Sequence, residues 1–550
     1  MRLNNSITAL CAFLYSVHVA VAFTHGKILA AAKLSNASVG TFHHTSHLAA
    51  TKKGKESIKY KVTSVEELNE YFEDKDRLFR KKNDDIDYDK LITALEVEGD
   101  TQILGSQIET DFVHPTLKVI HERRRNNSPL TPTTETRPDG KKVALVIEGG
   151  GMRGCVTAGM VGAIYYLGLE DTFDVIYGSS AGTVIGAYFN TRQLPWFGPE
   201  IYYDSLTTAG KKFIDTKRLL RTLGLGLLDP RLIKDFIFRN SNGMPVIKLE
   251  YLLKETMQEK KPLDWDKFVE MQKVQPLKVV ASALNKQESV VFDLANGGFT
   301  NIQELSGSMQ GSCLIPGITG PIVNHDASCT APEGKGKKFF AKNNVRSPGV
   351  EPLADALVFE PLPHRTAFAE GATDVIVLRS KPDGSDVTGK PSPFEKLIYS
   401  RFFKRKNKLK HVHKYMRQHG ARKIYAELVL ELNQGTKGEG DKSMMAIAVP
   451  PGSPEVARLE ARRSAIFDGV RRGFARAYDS LVEDPNERGR GHIVALQVLP
   501  DEILEYDPLE IDSKDRSAFE VFLEQKEAAG EGYDFPPIVG KTAKEAGQPC

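Results

Sequence analysis

A run of five apolar residues, Val143-Ala144-Leu145-Val146-Ile147, sits between Lys142 and Glu148 and has the length and β-branched content of a buried strand. It ends in a glycine cluster, after which small and apolar positions from about 155 to 167 predict a buried helix. The pattern then repeats, with a short strand at 175–177, a turn and a second small-residue helix. Downstream, 277–284 and 289–294 read as adjacent strands, 305–316 as a small-residue helix stopped by Pro316, and 374–378 as another buried strand. Residues 444–449 read as a strand. Residues 454–481 read as an amphipathic helix with Ile466, Val470, Phe474, Ala477 and Leu481 on one face.

Elsewhere the pattern is weaker. Segments 65–80, 89–96 and 114–125 read as charged amphipathic helices, and 126–140, rich in Asn, Ser, Thr and Pro, as a linker. Together, 58–140 form a partly helical extension packed on the main domain. Residues 219–238 predict either an apolar wall or lid, or a pair of core helices. The stretch 324–352 reads as an exposed loop bearing Gly and Lys, and 506–550 as a mostly disordered tail.

The 550 residues are 41% hydrophobic and 26% charged, with a net charge of +3, which describes a soluble globular protein and gives no reason to expect nucleic acid. Cys11, Cys155, Cys313, Cys329 and Cys550 form no C-x-x-C pair, so neither zinc binding nor disulfide stapling is predicted. Residues 1–22 have the form of a signal peptide: Arg2, an apolar run from 7 to 22, and Ala20-Val21-Ala22 as a small-x-small cleavage site. The stretch 23–55 holds no Asp or Glu but much Ser, Thr, Ala, Lys and His. With 23–57 read as a transit-type leader, the start resembles the bipartite plastid leader of algae with secondary plastids. The expectation is entry to the secretory route and a plastid destination, the alternative being a secreted or endomembrane protein.

The turns carry the candidate chemistry. Gly178-Ser179-Ser180-Ala181-Gly182 has the G-x-S-x-G spacing of a nucleophile elbow, whose flanking glycines let the central serine, Ser180, expose its Oγ. Upstream, Gly149-Gly150-Gly151-Met152-Arg153-Gly154 can aim backbone N–H groups at an oxyanion, with a helix N-terminus behind them. An aspartate on a small-residue turn downstream could take the serine proton directly, and Asp326, Asp355 and Asp374 are available. His325 and His364 read as loop histidines without a catalytic part. His411 and His413, two apart with no third ligand, give no metal site. The same glycines also allow a rival reading. Gly149, Gly151 and Gly154 satisfy G-x-G-x-x-G, with Glu170 or Asp174 about twenty residues on, which would make an NAD(P)-binding oxidoreductase.

Four blocks make the chain resemble the patatin-like phospholipases over roughly 141–380 and on to about 500: GGGMRG (149–154), GSSAG (178–182), SCLIP (312–316), and DALVFEPLP (355–363) with AEGATDVIVL after it. The resemblance implies an α/β fold, a three-layer α/β/α sandwich with a mainly parallel central sheet. It places a catalytic domain at 141–390 and a C-terminal part, 391–505, packed upon it. It selects Asp355 over Asp326 and Asp374, makes Ser180 the nucleophile and Asp355 its base, and assigns the oxyanion hole to backbone amides of Gly150, Gly151, Met152 and Arg153. The implied activity is lipid acyl hydrolysis of the phospholipase A or galactolipase kind, on membrane phospholipid or galactolipid, with no cofactor, no metal and no protein partner. One departure is Ala356, where the family usually has Gly after the aspartate; a changed turn there would leave a catalytically weak lipid-binding homologue. Residues 401–423 hold ten Lys or Arg and no acid, interleaved with Phe402, Phe403, Val412, Tyr415 and Met416, and predict peripheral contact with an anionic lipid surface.

Overall fold

Successive residues of each central strand feed two different hydrophobic cores. Val143, Leu145 and Ile147 join one cluster, with Ile176, Val279, Ile376 and Met445 from neighbouring strands. Ala144 and Val146 join the other, with Tyr177, Val280, Val377 and Ala446. A strand buried on both faces needs helices on both, and this is why the runs read as continuous rather than alternating. The computed structural model describes residues 59–74, 79–80, 85–101, 113–193, 197–215, 218, 245–329, 338–389, 391–438, 442–506 and 518–530. The leader predicted over 1–22 and 23–57, and the segment 219–238, lie outside the described residues.

The sheet has nine strands: β1 (Val143–Ile147), β2 (Val175–Ser179), β3 (Leu277–Ala283), β4 (Glu288–Phe292), β5 (Val323–Asp326), β6 (Phe339–Ala341), β7 (Val350–Ala354), β8 (Asp374–Leu378) and β9 (Ser443–Ile447). Their order is β9-β8-β1-β2-β3-β7-β5-β6, with β4 also on β3. Pairings from β9 through β3 are parallel, while β4, β5, β6 and β7 join antiparallel. The sheet is therefore mixed. The stretch predicted as an exposed loop, 324–352, supplies most of the antiparallel wing. Its strands are short, three to five residues each, and β5 ends in Asn324, His325 and Asp326, so no long apolar run announces them.

On the first face lie α1 (Gly154–Tyr166), α2 (Ala181–Asn190), α3 (Ile302–Ser312) and α5 (Arg463–Leu481); α4 (Gly420–Lys437) covers the second. The backbones of α1 and α5 touch: a Cβ on Gly159 would stand 2.0 Å from the Val470 carbonyl oxygen, and one on Gly473 1.9 Å from that of Val156. α5 begins at Arg463 rather than near 454; the preceding segment is irregular, with turns at 451–452 and 458–459, and Arg462 before the helix has extended backbone. The extension packs Leu68, Leu91 and Leu95 into the second core. It is pinned to the sheet by Arg123 and Arg137, which both reach the carboxylate of Asp174 (2.8 and 2.6 Å). Within the expected tail a helix forms at Ala518–Ala528, and Phe519 and Phe522 are buried.

Candidate active site

One edge of β3 is shared by two strands that run toward each other. β2 pairs with its first half, ending at Ser179 opposite Val280, and antiparallel β7 pairs with its end, Ala354 opposite Ser282. β4 spans residues 279–283 of β3 and so holds the opposite edge. The C-terminal ends of β2 and β7 therefore converge across the single position of Ala281, and the next residue on each chain is Ser180 and Asp355. Ser180 turns sharply, with φ of +52°, into α2, a left-handed conformation that a non-glycine residue holds only under constraint. Its Oγ donates to Asp355 Oδ2 at 2.8 Å.

Asp355 is held on every side. Its Oδ1 accepts the Leu357 N–H (2.9 Å), its own N–H donates to Leu314 O (2.8 Å), and its carbonyl accepts from Ser282 Oγ (2.9 Å). Burial pushes the carboxyl above the usual aspartate range. The Leu357 N–H, the Ser180 hydroxyl and the Arg458 charge offset that only in part. An aspartate so raised is a better proton acceptor than one in water. Ser312, at the end of α3 in the SCLIP block, accepts the Ser180 backbone N–H (2.8 Å) and donates to Val280 O (2.5 Å). The block marks it, yet a hydroxyl that acts on a backbone amide leaves no pattern by which a role could be read.

The glycine loop leans on the elbow. A Cβ at Gly149 would meet Ser179 O at 2.5 Å and Ser180 Cβ at 2.6 Å, so only glycine allows the approach. Of the four predicted oxyanion residues, Gly151 and Met152 line the cleft beside Ser180 and Asp355, while Gly150 and Arg153 do not. Arg153 is buried, its N–H turned onto Gly150 O (3.3 Å) and its guanidinium bound to Ser380 Oγ and Glu455. The Met152 N–H donates to the carbonyl of Arg458 (3.1 Å), in the irregular segment before α5. The sequence pattern predicts a helix over 454–481 and so gives no sign of this partner; 458 lies outside α5. Glu148 anchors the loop's start, accepting from Ser380 N–H and Oγ and from Tyr425 OH. Burial favours its neutral form, but the Arg153 and Arg379 charges and these hydrogen bonds hold it below the usual range.

The cleft is narrow, with a cavity volume of about 60 Å³, and its walls are apolar, with Val184, Ile185, Tyr188, Leu206, Phe213 and Leu252 among them. Cys313 also lines it, and burial with the nearby Asp355 charge keeps its thiol protonated. Asp374 lies at the opposite end of the sheet from Ser180, at the start of β8, and Asp326 receives Ser328. His364 binds Glu431 (2.8 Å), His411 meets Leu284 O (2.8 Å), and His325 packs edge-on to Phe292 and tilted against Phe339. In the basic segment 401–423, Phe402, Phe403, Val412 and Met416 are buried and belong to the fold rather than to a surface. Lys404, Arg405, Lys408, Lys410 and Lys414 remain exposed.

Residues 145–367 match the family model described as patatin-like phospholipase. They are a patatin-like phospholipase domain. At the level of that family, the domain is a lipid acyl hydrolase. A search of curated proteins found no match. Among solved structures, the chain is similar to VipD from Legionella pneumophila at 12% identity, over 75% of this chain and 81% of that one, with a TM-score of 0.29. It is similar to the type III effector ExoU at 14% identity, over 72% and 77%, with a TM-score of 0.18.

The dinucleotide reading of the patatin-like glycine loop finds little support in the geometry. In such sites the ribose-binding acid stands near the C-terminal end of the second strand. Here that end carries Ser179 and Ser180, while Asp174 precedes β2 and is bound by Arg123 and Arg137.

Proposed function

We propose that this protein is a lipid acyl hydrolase acting through a Ser180–Asp355 dyad on membrane phospholipid or galactolipid. The observation that carries the reading is the 2.8 Å hydrogen bond from Ser180 Oγ to Asp355 Oδ2 at the mouth of an apolar cleft. In this reading Ser180 Oγ attacks the ester carbonyl carbon as its proton passes to Asp355. The tetrahedral intermediate collapses, the leaving alcohol takes the proton from Asp355, and the acyl group stays on Ser180. Water then attacks the acyl-enzyme with Asp355 again accepting the proton, which returns to Ser180 as the fatty acid leaves. The Gly151 amide, which lines the cleft beside Ser180, is the donor we assign to the oxyanion, the Met152 amide being held by the Arg458 carbonyl. The apolar walls suit an acyl chain, and the exposed lysines and arginine of 404–414 suit an anionic lipid surface.

The test is fluorophosphonate labelling of wild type, Ser180→Ala and Asp355→Asn, with fatty acid release from phospholipid and galactolipid vesicles followed in the same samples. Labelling confined to Ser180, with release lost in both variants, supports the dyad. A wild-type protein that neither labels nor releases fatty acid refutes it.

A further inference from the structure

A neutral cleft would accept a diacyl lipid whatever its head. This one is not neutral at its mouth. Among its described lining residues Arg458 is the one cation, set against apolar walls and the Ser180–Asp355 pair. Arg458 belongs to the irregular segment between β9 and α5, and its carbonyl oxygen is fixed over the glycine loop by the Met152 N–H. That contact fixes where the Arg458 backbone stands beside the cleft. A Cβ on Gly151 would stand 2.8 Å from that same oxygen, so segment and loop are in direct contact.

The segment also leaves the Arg458 guanidinium without a carboxylate among the described residues. It carries two acids, and each is taken by another arginine: Glu455 by Arg153, Glu460 by Arg462 (2.8 Å). Arg463, at the start of α5, goes to Asp204. Arg458 is exposed, yet its charge is felt by buried Asp355 and by Tyr399. With an ester carbonyl at Ser180 and its acyl chain along the apolar wall, the rest of the lipid must leave through the mouth, past Arg458. A guanidinium there matches a phosphodiester, whose two oxygens it can hold with paired N–H groups. A galactose ring offers hydroxyls alone.

We propose that Arg458 binds the headgroup phosphodiester and is the residue by which this site prefers a glycerophospholipid to a galactolipid. The inference rests on the hydrolase reading above and names the substrate class of that same cleft. Arg458 acts on the bound lipid's head, so its effect falls on KM more than on kcat.

The experiment uses the full chain and neutral detergent micelles carrying either dioleoylphosphatidylcholine or dioleoyl-digalactosyldiacylglycerol. Both lipids have no net charge, so surface attraction is equal and only the phosphodiester differs. Wild type, Arg458→Gln and Arg458→Lys are compared by kcat/KM on each lipid, with p-nitrophenyl butyrate as a headless ester. The expected result is a phospholipid-to-galactolipid ratio that falls about tenfold or more in Arg458→Gln, through KM, and is partly restored in Arg458→Lys. Turnover of p-nitrophenyl butyrate by wild type with the same lipid ratio in all three proteins overturns the headgroup role and leaves the hydrolase reading standing. Absence of turnover by wild type on every substrate overturns both. Inorganic phosphate separates the sources of the anion: inhibition of p-nitrophenyl butyrate hydrolysis that disappears in Arg458→Gln, with no change of lipid ratio, would make Arg458 a free-phosphate site and overturn the proposal.

Discussion

The hydroxyl of Ser312 accepts the backbone N–H of Ser180 and passes its own proton toward the carbonyl of Val280. One side chain thus ties the strained elbow to the strand beside it. Ser312→Ala leaves a donor and an acceptor without that partner, at a cost of about 1–3 kcal/mol. Urea unfolding should show that loss, and ester turnover should fall as the elbow relaxes. An unchanged midpoint and unchanged kcat would mean that the elbow is held by other contacts.

Asp355 sets a conflict between activity and stability. A carboxyl whose folded-state pKa lies above its unfolded one favours folding when protonated. That contribution is full below the unfolded pKa and is lost as pH rises through the folded one. At neutral pH the buried, ionised Asp355 therefore costs stability. Asp355→Asn should melt higher than wild type, by on the order of 2 °C, with the gain vanishing in acid. Its acyl release should fall by about 10²–10⁴-fold. In wild type the acid limb of kcat/KM should lie above the usual aspartate range. Thermal melts across pH and a pH–rate profile on a soluble ester check both statements.

Ala356 stands where the family usually has glycine, and it lies in the 3-10 turn Ala356–Val358 without positive φ. The turn therefore asks nothing that alanine cannot supply. Ala356→Gly should lower stability by about 0.5–1 kcal/mol and raise no activity. A gain in kcat from that substitution would show that the alanine does restrain the aspartate.

Because Phe402 and Phe403 are buried and Tyr415 is half-buried with its hydroxyl on Val358 O, the lipid contact expected of that segment is electrostatic. Replacing Lys404, Arg405 and Lys408 by Gln should weaken binding to anionic vesicles on the order of a hundredfold, from about 1 kcal/mol per cation. Added salt should weaken wild type in the same direction. Salt-insensitive sedimentation with vesicles would point to apolar insertion elsewhere.

What could be read from the chain follows from burial. β1, β2 and β8 are apolar on both faces, so their runs stand out, and α5 shows its stripe from Ile466 to Leu481 because one face alone is buried. β5 to β7 are short and partly exposed, too short for an apolar run to mark them, and read as a loop. The spacing around Ser180 pointed to an elbow, but its meeting with Asp355 depends on two strands sharing one edge of β3, a relation between residues 175 apart. The family blocks supplied what local pattern could not. Arg458 had no block, and its value comes from a backbone contact to Met152 that residue types do not encode.

The contact of α1 with α5 has a consequence in time. During synthesis Ser180 and Asp355 are both in hand once residue 355 has been added, and the parallel strands up to β8 soon after. The glycine faces of α1 stay uncovered until Gly473 and Val470 emerge, and the carbonyl that meets Met152, that of Arg458, comes only shortly before them in the chain. A chain halted anywhere between those points carries the proposed reacting pair without the wall that aligns its oxyanion loop. Maturation of the site is thereby deferred until α5 has been made.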